Sequence, residues 1–190
     1  METTWGGILL TGGGAVRLSG ADKATIEIAG KSLLEYALAA LAGVGETVVV
    51  GELVPTSRPV NFVREDPAGG GPAAGLLAGL AGFSRPPDSV VVLAVDMPLV
   101  TADTVRRLVA AMESDPALDG VLLDGGQYLC AAYRRRALTA SGEQAESSHG
   151  LSMRKLLSGL RLGSVDSVGA EARDVDTLKD LQEIRELFEE

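Results

Sequence analysis

A run of three glycines, two cations and a few aspartates carry the chemistry-bearing potential of this chain. In ILLTGGGAVRLSGADK, residues 8–23, an apolar stretch ends at Thr11 and is followed by Gly12, Gly13 and Gly14. Glycine has no Cβ, so its backbone can turn through positive φ and come close to a ligand. Successive amide N–H groups can then point into one concavity and hold an anion. Arg17 and Lys23 follow at distances a loop can fold back. A row of amides flanked by two cations suits a triphosphate.

Two better-known phosphate motifs are not met. A P-loop needs GxxxxGK followed by Ser or Thr, whereas Lys23 stands between Asp22 and Ala24. The dinucleotide fingerprint GxGxxG needs a glycine where Arg17 stands, and an acid about twenty residues on to meet a ribose. Neither is present, so an NAD-dependent oxidoreductase is a distant reading.

The carboxylates follow from the elements that must place them. Ser89–Val95, SVVVLAV, is apolar at nearly every residue and reads as a central strand covered on both faces. Asp96 follows it at once. Ligands in open α/β sheets sit beyond the carboxyl ends of strands, so Asp96 and the glycine loop should face one crevice. A bare Asp there suits Mg²⁺, which takes one or two carboxylates plus phosphate oxygens; the alternative is a cap on the following turn. Asp176 is the second candidate metal ligand and Asp174 its runner-up. Both lie just before a helix, where Asp also serves as an N-cap.

The remaining elements read in order. Ala24–Ala29 is expected to be extended. Ser32 caps a helix to about Ala42, and Thr47–Val50 and Val60–Val63 are strands. Pro72 opens a small-residue helix over Ala73–Leu80, whose free amides can meet an anion. Thr101 caps a helix to Met112, and Gly120–Leu123 and Tyr128–Tyr133 are further strands. Arg134, Arg135 and Arg136 are expected to be solvated, and Ala140–Gly150 to form a polar loop carrying His149. Leu151–Leu157 reads as a helix, Leu162–Val165 as a strand, and Thr177 caps a last helix to about Leu187. Arg154 and Lys155 read as the wet face of a helix, and Cys130 as a buried strand residue. Strands alternating with helices indicate an α/β layered sheet.

Composition narrows the function. The 190 residues are enough for one domain with a substantial core, and a hydrophobic content of 46% favours a folded chain. The net charge of −9 argues against nonspecific nucleic-acid binding. No apolar run is long enough for a membrane span. One Cys and one His exclude an internal disulfide and a conventional zinc cluster and fit a cytoplasmic setting.

LTGGGAVRLSGADKATIEIAGKSLLE resembles the N-terminal signature of the molybdenum-cofactor guanylyltransferases and related nucleotidyltransferases. REDPAGGGPAAGL, VDMP and DVDTLKDL resemble later motifs of that family, in the same order and over nearly the whole chain. The resemblance implies a three-layer αβα sandwich with a Rossmann-like, mostly parallel sheet of the nucleotide-diphosphosugar transferase type. It implies one nucleotidyltransferase domain over residues 1–190, Mg²⁺ as cofactor, GTP as donor and a phosphorylated pterin, molybdopterin-bound molybdenum, as acceptor. Molybdenum-cofactor handling proteins are the implied protein partners. Leu10, Thr11 and Gly12 match the nucleotide-holding loop, Lys23 the phosphate-contacting lysine, Asp66 a guanine-side aspartate and Asp96 the Mg²⁺ ligand. Gly13 and Gly14 continue the loop. Gly51 departs from the family pattern, standing where guanylyl-specific members can carry a base-reading Asn, and Ser19 and Val16 replace a Gly and an Arg. CTP, another phosphorylated acceptor, or a silent nucleotide-binding module therefore remain open.

A phosphate monoester has its second pKa near 6 and is largely a dianion at neutral pH, so attack on the α-phosphorus needs no general base. The obstacle is repulsion between two polyanions, which Arg17, Lys23 and Mg²⁺ on Asp96 would offset. As a loop cation on phosphate, Lys23 is expected to be dispensable for folding.

Overall fold

The computed structural model describes residues 3–12, 17–18, 21–145 and 147–189. Gly13, Gly14, Val16 and Ser19, and the side chain of Arg17, lie outside the described residues. The strands are β1 (Trp5–Leu10), β2 (Arg17–Leu18), β3 (Ala21–Asp22), β4 (Glu27–Ile28), β5 (Lys31–Ser32), β6 (Thr47–Val50), β7 (Asn61–Val63), β8 (Ser89–Ala94), β9 (Gly120–Leu123), β10 (Gln127–Arg134) and β11 (Leu162–Val165). The helices are α1 (Leu33–Ala40), α2 (Pro72–Ala81), α3 (Ala102–Ser114), α4 (Arg135–Glu143), α5 (Met153–Leu156) and α6 (Leu178–Leu187).

Seven strands form one sheet in the order β11-β9-β10-β8-β1-β6-β7. Within it β10 runs against both its neighbours, and the other pairings are parallel. Side chains alternate between faces along each strand, and both faces are covered. Leu9, Val49, Val91 and Leu93 pack against α1, α3 and α6, while Ile8, Leu10, Val48, Val50, Val90 and Val92 pack against α2, α4 and α5. This is the expected three-layer αβα sandwich, and β8 is its central strand. Among the described residues no helix is long and apolar enough to cross a membrane.

The chain leaves β1 toward β6 and β7, then returns to β8 on the other side of β1. The strand order therefore reverses between β1 and β8, which opens a crevice at the carboxyl edge of the sheet.

Two stretches differ from expectation. Lys23–Thr25 is a 3₁₀ turn, because the Asp22 side chain accepts the Ala24 N–H at 3.0 Å and caps it. Residues 135–143, expected to be solvated arginines running into a polar loop, form α4. That helix buries only Ala137 and Leu138, too few positions to show a period. Gly142 lets it lie on α2, since a Cβ there would meet Leu77 Cδ2 at 2.6 Å. Arg134 and Arg135 are not free in solvent: their Nε atoms donate to Leu118 O at 2.9 Å and Pro87 O at 2.7 Å.

The segment from β11 to α6 is fastened by Glu171. This buried carboxylate accepts from Thr104 Oγ1 at 2.6 Å, from Val168 N at 2.8 Å and from the Arg107 guanidinium. Arg107 also donates to Asp166 O at 2.7 Å. Burial, the largest influence, works to raise the Glu171 pKa, but these donors outweigh it and hold the carboxyl below its ordinary value of 4.5. Its contribution to stability is therefore present above that value and fades as pH falls through the depressed one. Glu171→Gln is expected to cost about 1–3 kcal/mol in urea unfolding at pH 7. The gap to the wild-type protein should narrow in acid.

Candidate functional site

Lys23 lies buried against two aspartates, Asp96 and Asp176, that line the crevice. Its Nζ donates to Asp96 Oδ2 at 3.0 Å and to Asp176 Oδ1 at 2.8 Å, and the side chain is only 4% exposed. An ammonium so far out of water would lose charge on its own account. Burial is indeed the largest influence and works downward, yet Asp176 and Asp96 outweigh it and raise the Lys23 pKa above its ordinary 10.5. Lys23 is therefore a buried counter-ion to two aspartates rather than a solvated loop cation.

Each partner is placed by a separate device. Asp96 follows central β8, and its backbone carbonyl accepts Val175 N at 2.8 Å, which draws the last loop up to the site. The alternative role of Asp176 as a helix cap is excluded, because Thr177 caps α6. Thr177 Oγ1 accepts Asp180 N at 3.2 Å, and Asp180 Oδ2 accepts Thr177 N at 2.7 Å. The Asp176 side chain is left to reach Lys23. Asp174 is exposed and makes no contact with Lys23 of this kind, but burial first, then the charges of Asp176 and Asp96, push its carboxyl up.

Two cavities meet at Asp96. One, of about 640 Å³, is lined by Leu10, Thr11, Gly12, Gly51, Glu65 and Gly75 among others. The second, of about 620 Å³, is lined by Tyr128, Leu151, Met153, Asp174 and Asp176 among others. Asp96, Gly69, Gly71 and Pro72 line both. Gly71 and Pro72 open α2, so the amides of a helix N-terminus face the join.

The structure thus brings Leu10, Thr11, Gly12, Lys23, Asp96 and Asp176 to one place. Gly12 has φ of +95°, a conformation that favours glycine. Asp66 is not among them: its side chain is exposed and does not line either cavity, where its neighbour Glu65 lines the first. Glu65 was not singled out in the sequence, and nothing in an adjacent Glu-Asp pair says which one turns inward. Arg154 and Lys155 are exposed, and neither lines the second cavity. Cys130 is buried on β10, which pushes its thiol up to about 12.

The Asp96 and Asp176 carboxylates converge on a single cationic point at 3.0 and 2.8 Å. Among the described residues no group of three or more His, Cys, Asp or Glu could hold a metal ion. Two carboxylates are nonetheless the complement that Mg²⁺ takes when phosphate oxygens complete its shell, so the donor set fits that ion.

Residues 7–165 match the MobA-like NTP transferase domain. The chain belongs to that family. A molybdenum cofactor guanylyltransferase of Bradyrhizobium sp. (strain ORS 278) is 34% identical over 128 residues, 63% of this chain and 60% of that relative. The chain spans only about 60% of the length of such curated relatives. The crystal structure of molybdopterin-guanine dinucleotide biosynthesis protein A from Archaeoglobus fulgidus superposes with a TM-score of 0.76 at 21% identity, covering 98% of this chain and 99% of that one. A 2-C-methyl-D-erythritol 4-phosphate cytidylyltransferase from Thermus thermophilus gives 0.72 at 18% identity and full coverage of both chains. These two likenesses establish the nucleotide-diphosphosugar transferase type of fold.

Replacing Lys23 leaves this MobA-like NTP transferase with two facing carboxylates and no counter-ion. Lys23→Met is expected to lower stability by about 1–3 kcal/mol at pH 8. The lysine's contribution is complete below pH 10.5 and is lost only as pH rises through the raised value, so the difference should shrink only in strong base. Thermal melts from pH 7 to pH 11 measure both.

Proposed function

We propose that this chain transfers a nucleoside monophosphate, GMP from GTP, to the terminal phosphate of a pterin-type acceptor, molybdopterin-bound molybdenum, and releases pyrophosphate. Residues 7–165, the matched region, fall within one nucleotidyltransferase domain that we take to span the chain. The observation that carries this reading is the meeting of two cavities at Asp96. One is lined by Gly12 and suits a nucleotide, and the other suits the acceptor. The names of the curated relatives support the choice of GMP and of the pterin.

The reaction joins an acceptor phosphate oxygen to the α-phosphorus and breaks the bond from that phosphorus to the bridging oxygen of pyrophosphate. The electron pair leaves with pyrophosphate. No proton need be removed from a phosphate dianion. What the chain must supply is orientation and positive charge. Gly12 and the N-terminal amides of α2 bind phosphate oxygens. Lys23 turns one or more of its three N–H donors from the aspartates to the nucleotide phosphates. Arg17 adds charge from the same loop. Asp96 and Asp176 would hold Mg²⁺, which when bound neutralises charge on the transferring phosphates and orients them. Leu10 and Val50 form apolar walls, and Thr11 fixes the end of the loop through its hydrogen bond to Val50 O at 3.1 Å.

Asp96→Ala is expected to cut pyrophosphate release from GTP and acceptor by at least about a hundredfold while the protein still folds. A variant that turns over at the wild-type rate would overturn the role of Asp96. Faster release with CTP than with GTP would instead move the chain to the cytidylyl reaction.

A further inference from the structure

Strand β10 breaks its ladder beside the second cavity. Leu122 and Leu123 are neighbours on β9, yet their partners on β10 are Ala131 and Gln127. On its other side β10 pairs with β8 only from Cys130 onward. Tyr128 and Leu129 thus pair with neither neighbour and form a bulge. Bulges re-aim side chains and recur next to active sites. Here both residues line the second cavity, and Leu129 lines the first as well.

The bulge is held from inside the core. Tyr128 N donates to Gly126 O at 3.0 Å, and Tyr128 O accepts the Tyr133 hydroxyl at 2.8 Å. Tyr133 is 0% exposed, so its hydroxyl needs a partner within the protein, and that partner is the bulge carbonyl. Tyr128 itself is half-buried, on the side of the sheet that α2, α4 and α5 cover. Leu151 and Met153 extend the apolar wall of the cavity beside it. Charge in this cavity is confined to one cluster, Asp96, Asp174 and Asp176. Among the described residues that line the rest, none is Lys, Arg, Asp or Glu.

We propose that Tyr128 determines which acceptor is taken, by packing its ring on a flat, uncharged ring system that carries the accepting phosphate. The role rests on reading the second cavity as the acceptor's. The accepting phosphate has to meet the nucleotide at Asp96, where the two cavities join. The rest of the acceptor then lies along the apolar wall, where a second charge would lose its water and gain no partner. An aromatic face favours a flat π-system over a flexible chain or a sugar. A pinned strand bulge also holds that face more firmly than a loop would.

The test first fills the nucleotide cavity with the Mg²⁺ complex of the α,β-methylene analogue of GTP, which cannot release pyrophosphate. Calorimetry then follows the binding of 6-hydroxymethylpterin phosphate and of glycerol 3-phosphate to the filled protein, for wild type, Tyr128→Phe and Tyr128→Leu. The wild-type protein is expected to bind the pterin phosphate at least about tenfold more tightly than glycerol 3-phosphate, which has the phosphate and no ring. Tyr128→Phe keeps the ring face and should stay within about twofold of wild type toward the pterin phosphate. Tyr128→Leu keeps an apolar side chain without the face and should lose about tenfold toward the pterin phosphate, with glycerol 3-phosphate unchanged. All three proteins should take up the GTP analogue alike, which checks that the variants fold. Equal affinity of the wild-type protein for the two probes overturns the role of Tyr128, and that comparison needs no variant. A Leu variant that matches wild type, or a Phe variant that loses as much as the Leu one, overturns it too and leaves both cavities intact. A wild-type protein that takes the analogue and neither probe overturns the acceptor reading of the second cavity, and the role of Tyr128 with it. Failure to take the analogue at all overturns the nucleotide reading, and the proposal falls with it.

Discussion

The site depends on one buried charge held by two others. Lys23 is almost removed from water, and it keeps its proton because Asp96 and Asp176 each give it an oxygen. Take Lys23 away and two facing carboxylates lose their shared counter-ion, whereas loss of either aspartate leaves the lysine one partner. The arrangement also stores binding capacity. A cation and two carboxylates that satisfy one another are, on the proposed reading, the groups a nucleotide and a divalent ion would separately use.

The fold serves that triad by bringing three distant parts of the chain to one edge. The return from β7 to β8 across β1 opens the crevice, and both Gly12 and Asp96 line it. The third rim is not made by a strand. It is a loop lashed down twice, at Glu171 to α3 and at Val175 to the Asp96 backbone. The Thr177 and Asp180 pair then starts α6 one residue later, which leaves Asp176 out of the helix and turned to the site.

Much of this was legible in the residues. An apolar run broken by Asp96, and three glycines after another such run, mark strand ends and what stands on them. The helix caps Ser32, Thr101 and Thr177 were equally plain, because short-range hydrogen bonding needs only neighbours. What was not legible is long-range. That Lys23 would be buried depends on two aspartates far along the chain, and a lysine in a glycine-rich loop carries no local sign of it. The turn of Glu65 inward and Asp66 outward is decided by the amide of Gly69. The exclusion of a side chain at Gly51 is decided by a threonine on a neighbouring strand. Helix α4 escaped because it needs only Ala137 and Leu138 to hold it to the sheet.

Lys23 and Asp176 lie 153 positions apart. Synthesis runs from the amino end, so the glycine loop and Lys23 are made well before Asp176 supplies the second oxygen of the triad. Until then Asp96 is the lysine's one partner in the triad, and the second cavity lacks the lining that Asp174 and Asp176 contribute. A product that stops short of Asp176 keeps the pair of Lys23 and Asp96 and lacks the second carboxylate of the triad.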